Sequence, residues 1–350
     1  MKDDIMVSVC TLTYNHASYL DEYFKGILTQ KCNFKYEIII NDDCSTDGTQ
    51  DILLDYAAKY PDIVKVVIQK ENQYSKGDRG FFVKYCFPRC SGKYIAFCEG
   101  DDCWTDPMKL QKQVDYLESH PDCVLVHTDM DVKDVSTGEI YPGKWKRQKN
   151  FNLINRDFGR NLIPLLLQGK YSVTTLTACV RHSSIKECLE EGLLVQDKKL
   201  LMGDTVLWVA LASKGSFYLI KESCACYHVL PESASHSRNF SKVIAFYESC
   251  LYMVEHLSSL FKISEADKNK AIQEYIYFLL TEIYVGRIGY LNEVQEKVLK
   301  RNSLNTLNSL LLKTIRCHLL IKRTIMLFVK THHKLAQRID FYKAKNRGVI

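Results

Sequence analysis

Three short apolar, β-branched runs, each ending in a polar or acidic cluster, constrain this chain more than any other feature. Val7-Ser8-Val9-Cys10-Thr11-Leu12 closes on Tyr14-Asn15, Tyr36-Glu37-Ile38-Ile39-Ile40 on Asn41-Asp42-Asp43, and Tyr94-Ile95-Ala96-Phe97-Cys98 on Asp101-Asp102. Runs of this length bounded by turn formers read as strands buried on both faces. Between them, Tyr19, Leu20, Tyr23, Phe24, Ile27 and Leu28, and then Ile52, Leu53, Tyr56 and Ala57, recur at helical spacing; Val64-Lys65-Val66-Val67-Ile68 adds a third strand before Tyr94. Strands alternating with helices predict a mostly parallel α/β sheet, with ligands bound outside the carboxyl ends of the strands. All three polar clusters fall there.

The acidic stretch Cys98-Glu99-Gly100-Asp101-Asp102-Cys103-Trp104 is followed by Thr105-Asp106-Pro107 and by Met108, Leu110, Gln111, Val114 and Leu117 at helical spacing. An N-cap acid with proline at the first helical position predicts a tight strand-to-helix corner holding both aspartates. Adjacent carboxylates there serve one of two ends: they cap the helix, or they bind Mg2+ or Mn2+, which take oxygen ligands alongside phosphate. No G-x-G-x-x-G and no G-x-x-x-x-G-K-[ST] occurs, which disfavours dinucleotide and P-loop folds. With no glycine cradle, a metal would have to carry a diphosphate.

A length of 350 residues, 46% hydrophobic and 25% charged, suffices for a sizeable core and an appendage. The 14 cysteines are scattered through apolar runs, and Cys86-x3-Cys90 and Cys224-x-Cys226 lack the second pairs of a zinc site, so they read as reduced, mostly buried thiols. Met1-Lys2-Asp3-Asp4 enters a strand pattern without a signal-peptide core, and a cytoplasmic location is expected. The net charge of +6 is concentrated from Lys313 onward, where ten Lys and Arg face one acid, Asp340.

The runs VSVCTLTYN, NDDCSTDGT, ENQYSKG and CEGDDCWTDPMKLQKQV, in that order over roughly residues 5–240, resemble the family 2, GT-A type, inverting glycosyltransferases. The resemblance implies a mixed, mostly parallel GT-A sheet flanked by helices, a nucleotide-sugar donor, and Mn2+ or Mg2+ as cofactor. Asp43 would hydrogen-bond the base, uracil by expectation, beside Leu12 and Tyr14. Lys76 and Arg79 stand on the basic loop after the third strand as further donor-binding candidates. Asp101 would touch the sugar or ribose, and Asp102 would bind the metal. Glu99-Gly100-Asp101-Asp102 departs from a strict Asp-x-Asp, so which oxygen holds the metal stays open.

The second half supplies the base. Cys123 to His127 reads as a strand followed by Asp129, Asp131 and a hairpin turn at Ser136-Thr137-Gly138, and Gly203-Asp204-Thr205-Val206-Leu207-Trp208 opens an apolar helix. Direct displacement needs one carboxylate to take the proton of the attacking hydroxyl. Asp204 resembles the family's base and is also placed to cap its helix. His236 and Arg238, after the strand Cys224 to Val229, are candidates to meet the diphosphate. The resulting division is 1–238 catalytic (1–122 donor half, 123–238 acceptor half) and 239–350 a helical extension with a basic tail. That tail has no 18-residue uncharged apolar window. It fits a basic amphipathic contact with an anionic membrane face, bringing the site to a glycan or lipid-linked acceptor, or a solvated core helix; a nucleic-acid partner is not expected. A nucleotidyltransferase and a non-catalytic sugar-nucleotide-binding or membrane-docking protein are the rival readings.

Overall fold

A computed structural model describes residues 4–147, 159–230, 239–286, 291–300, 302–306, 308, 309, 311 and 312. Its first part alternates as the periodicity predicts: β1 (Ile5–Thr13), α1 (Leu20–Leu28), β2 (Lys35–Asp42), α2 (Thr49–Lys59), β3 (Val64–Ile68) and, after short π- and 3₁₀-helical turns over 82–89, β4 (Tyr94–Phe97). There follow β5 (Cys103–Trp104), α3 (Lys109–Ser119), β6 (Cys123–Asp134), β7 (Ile140–Tyr141), α4 (Ile163–Leu167), β8 (Ala178–Arg181), α5 (His182–Glu190), α6 (Gly203–Ala212) and β9 (Ser216–Val229). The helices α7 (Phe240–Leu260), α8 (Glu265–Gly286) and α9 (Leu291–Val294) close the described chain.

One mixed sheet runs β3-β2-β1-β4-β8-β6-β9-β5, with β7 paired to β6. The ladders β2/β3, β1/β2 and β1/β4 are parallel, so the carboxyl ends of β1, β2 and β4 share one edge. β8 then lies antiparallel between β4 and β6, and β6 pairs parallel with the long β9. The sheet thereby joins the parallel first half of the chain to the second half without a break.

The expected strand-to-helix corner is different in detail. After β4 the chain turns through 98–102 and makes the two-residue β5, which pairs with Ala225 and Cys226 of β9. The helix α3 starts only at Lys109, with Asp106 Oδ1 accepting the Met108 N–H at 2.8 Å. Asp106, not Asp101 or Asp102, is therefore the acid that serves the helix terminus. Two devices fix β5. At Gly26 of α1 any Cβ would stand 2.5 Å from the Trp104 carbonyl oxygen, so only glycine lets the helix come this close. The fully buried Lys109 places its Nζ 4.1 Å from the centre of the Trp104 ring and donates to Gln113 Oε1, while Gln113 Nε2 donates to the Val126 and Thr177 carbonyls. A buried ammonium is tolerated because both the ring face and the amide answer it.

Two cores flank the sheet. One lies under α1, α2 and α3, with Phe24, Ile27, Ile38, Ile40 and Leu110 fully buried. The larger one gathers Phe97, α4, the all-round apolar α6, and Ile244, Leu257, Ile276 and Leu280 of α7 and α8. Trp208 meets Phe97 edge-on at 5.7 Å. The C-terminal helices thus continue the main core.

Candidate active site

The edge at the carboxyl ends of β1, β2 and β4 is knitted by side chains of the turn formers that the sequence places there. Asn15, in the left-handed region at φ 56°, accepts the Thr46 N–H on its Oδ1 at 2.8 Å, and its own N–H donates to Ser45 Oγ at 2.8 Å. Asn is among the few residues that tolerate this conformation. Asp42 accepts from Ser45 and from Gln50 Nε2, so this acid builds the loop. Asp43 accepts the N–H groups of Gln73 (2.8 Å) and Tyr74 (3.0 Å), clamping the loop after β3 onto the edge. Burial holds its carboxyl above the ordinary aspartate range against those two bonds.

The other donor-side candidates lie along the same stretch of chain. Tyr14 is exposed and Leu12 half-buried at the end of β1. Lys76 is on the clamped loop but pairs with Glu71. Arg79 stacks 4.4 Å from the Tyr74 ring centre and donates to the Tyr74 and Asp78 carbonyls. His236 and Arg238 lie outside the described residues.

The turn 98–102 brings three acids together. Gly100 donates to the Leu12 carbonyl at 3.0 Å, and a Cβ on it would stand 2.9 Å from Thr13 Oγ1 and 3.0 Å from His16 Nδ1. Glycine is required to seat the turn against the first loop. Asp101 lies 3.8 Å from His16 Nε2. Asp102 is 2% exposed, and its Oδ1 accepts the His228 N–H from β9 at 2.9 Å. Burial, then the charges of Asp101 and Glu99, push the Asp102 carboxyl well up, and burial with Asp101 raises Glu99 to about 8. Glu99 and Asp102 favour their protonated forms unless a cation answers them.

The residues fit a hard divalent ion. The donors are oxygens, Glu99 Oε2 is buried without a hydrogen-bond partner, and among the described residues no ammonium or guanidinium pairs with Asp101 or Asp102. Thr13 Oγ1 and His16 Nδ1 beside them are likewise buried and unpartnered.

Within electrostatic range of Glu99, Asp204 stands in the first turn of α6 and accepts the Thr205 N–H at 2.8 Å. Its carboxyl is raised by burial, with Lys144 nearby pulling the other way. Glu99 feels the charges of both Asp101 and Asp204, so one side chain bridges the donor acids and the expected base. Lys144, brought down to about 8 by burial, feels Asp204 and donates to Thr174 Oγ1 at 3.0 Å. From behind, Cys250 of α7 and Tyr275 of α8 are also within reach of the Asp204 charge. Sequence reasoning assigned no role to Glu99 or Lys144. Glu99 stood in plain view inside the acidic stretch; Lys144 gave no signal, since only the fold carries its loop to α6.

Residues 8–171 match the model described as glycosyl transferase family 2. Over those residues, just under half of its length, the chain is similar to that family. Among curated family relatives, the putative teichuronic acid biosynthesis glycosyltransferase TuaG of Bacillus subtilis is 38% identical over 112 residues, 32% of this chain and 42% of TuaG. The chain spans less than half the length of the leading curated relatives it matches, 44%. Solved structures extend the likeness at low identity. S. aureus TarS 1–349 in complex with UDP-GlcNAc has a TM-score of 0.56 and 15% identity over 98% of this chain and 92% of that one. The mannosyltransferase PcManGT from Pyrobaculum calidifontis, in complex with GDP-Man and Mn2+, has a TM-score of 0.55 and 14% identity over 98% and 86%. At such identities the fold is what is shared: a GT-A sheet with helices on both faces and further helices at its C-terminal end.

Proposed function

We propose that the chain is an inverting glycosyltransferase that moves a hexosyl or N-acetylhexosaminyl group from a nucleotide-sugar donor, a UDP-sugar, to a hydroxyl of a glycan or lipid-linked acceptor. The observation that carries this reading is the arrangement of Glu99, Asp101 and Asp102 at the end of β4 with Asp204 in electrostatic contact with Glu99 across the cleft. Tyr14 offers its exposed ring to the base, with Leu12 beside it. Asp43 orders the loop carrying Lys76 and Arg79, and its remaining lone pairs face the same base. Asp101 meets the ribose or sugar.

Asp102, with Asp101, would hold Mn2+ or Mg2+. When bound, such an ion supplies Lewis-acid stabilisation to the charge that develops on the departing diphosphate. Asp204 takes the proton of the acceptor hydroxyl as its oxygen bonds to the anomeric carbon and the bond to the diphosphate oxygen breaks. One displacement inverts the anomeric centre. Lys144 favours the charged form of Asp204, against the burial that raises its carboxyl. The presence of Mn2+ and GDP-Man in PcManGT, and of UDP-GlcNAc in TarS, supports the choice of cofactor and donor class. TuaG, by its name a teichuronic acid enzyme, supports an envelope glycan as acceptor. The basic segment 313–350 would hold the enzyme at the inner face of a membrane; it lies outside the described residues, and among those described no helix is long and apolar enough to cross one.

The test is nucleotide release from UDP-, GDP- and dTDP-sugars. Release from one donor, abolished by EDTA, restored by Mn2+ or Mg2+, and lost in Asp102→Asn, is the expected result. Turnover indifferent to both EDTA and Asp102→Asn would overturn the metal-assisted step.

A further inference from the structure

On the far side of Asp102 from the cleft, three elements converge on a different set of donors. Cys103 of β5 and Cys226 of β9 are direct cross-strand partners. In an antiparallel pair such partners share a face, and His228, two residues along β9, shares it too. The helix α1 packs on that face through Gly26, which brings Glu22 over it. One ligand atom each from Glu22, Cys103 and His228 lie within 4.8 Å of one another, and Cys226, the cross-strand partner of Cys103, stands next to them on the same face of β9.

The imidazole is oriented for a ligand. Its Nδ1 lies 2.6 Å from the Asp101 carbonyl oxygen, which can only accept, so Nδ1 carries the hydrogen. The Nε2 atom is buried, on a residue 2% exposed, and has no hydrogen-bond partner; Glu22 Oε2 is 3.4 Å away. A histidine whose Nδ1–H is fixed by a backbone carbonyl, with Nε2 aimed at thiols and a carboxylate, is how proteins present imidazole to zinc. Lys133 Nζ donates to both Glu22 oxygens, at 3.3 Å to Oε1 and 3.4 Å to Oε2, and Oε2 also faces His228 Nε2.

We infer that Glu22, Cys103, Cys226 and His228 form a tetrahedral Zn2+ site that pins α1, β5 and β9 together and sets the backbone holding Asp101 and Asp102. Two thiols, an imidazole and a carboxylate are the borderline-soft donor set zinc takes, unlike the oxygen-only set on the cleft side. On binding, both thiols release their protons to solvent. Two thiolates and one carboxylate around a dication leave one negative charge, which Lys133 answers. The linear spacing Cys-x-Cys conceals the site because its four ligands come from three elements, with Cys224 pointing to the other side of β9.

The site is read by metal content, independently of turnover and of the glycosyltransferase reading. The full chain, purified under reducing conditions and washed with EDTA, is expected to retain one zinc by elemental analysis. Cys103→Ser and His228→Gln lose it, while Asp102→Asn and Cys44→Ser keep it. Glu22→Gln weakens zinc binding by at least about tenfold, as removal of a ligand costs no less than loss of its outer support. Should the variants fail to fold, Co2+ in the wild-type chain gives the deciding signal: thiolate-to-cobalt charge transfer with tetrahedral d–d bands. A chain free of zinc whose Co2+ spectrum lacks thiolate bands, zinc unaffected by Cys103→Ser, zinc lost on Asp102→Asn, or a native Cys103–Cys226 disulfide would each overturn the site.

Discussion

Gly100 and Asp204 show how single side chains decide what this cleft can do. An alanine at 100 would press on Thr13 Oγ1 and His16 Nδ1, polar atoms of the first loop that are buried and unpartnered. Overpacking of this kind costs ~1–3 kcal/mol. Gly100→Ala is therefore expected to lower the denaturation midpoint and, by displacing the donor-side wall, to raise KM for the nucleotide sugar; calorimetric unfolding and UDP titration read both effects. As the proposed base, Asp204 would have to be ionised, and burial raises its pKa. The sign follows directly: turnover climbs with pH as the carboxyl loses its proton, and the acid limb of kcat lies above the ordinary aspartate value of ~3.9. A limb at or below that value, in a pH–rate profile, would contradict burial as the controlling influence.

At the scale of elements, legibility divides by how local each element's cause is. β1, β2, β3 and β4 announce themselves through β-branched runs bounded by turn formers, and Gly203-Asp204 opens α6 where the apolar pattern begins. β5 has no such signal. Two residues carry no periodicity, and Cys103-Trp104 is a strand only because Ala225 and Cys226 arrive beside it from 120 positions away. This hidden strand moves the start of α3 to Lys109 and turns a strand-to-helix corner into a turn between strands. Asp43 stands out in the sequence at the end of the second strand, but its clamp on the Gln73 and Tyr74 N–H groups does not, since backbone donors of a distant loop leave no mark in the sequence. Glu99 and Lys144 acquire meaning only from proximity to Asp204.

For the molecule as a whole, the helices after residue 239 belong to the same core as the sheet. Ile244, Leu257, Ile276 and Leu280 are 0% exposed, and they join the cluster that buries Trp208 and Phe97. Removing them would uncover the apolar back of α6, the helix that presents Asp204. A chain ending at residue 238 is expected to aggregate or to lack a cooperative unfolding transition; a soluble fragment that unfolds cooperatively would show these helices to be a separable extension. The proposed site draws on both halves of the sheet, with Asp101 and Asp102 on the turn after β4 and Asp204 on α6. The most direct test is a comparison of Asp204→Asn with wild type under saturating donor and acceptor. Donor affinity unchanged, with kcat lower by ~10²–10⁴-fold, the usual contribution of a general base, is the predicted result. Turnover by Asp204→Asn at the wild-type rate would contradict the assignment of Asp204 as the base.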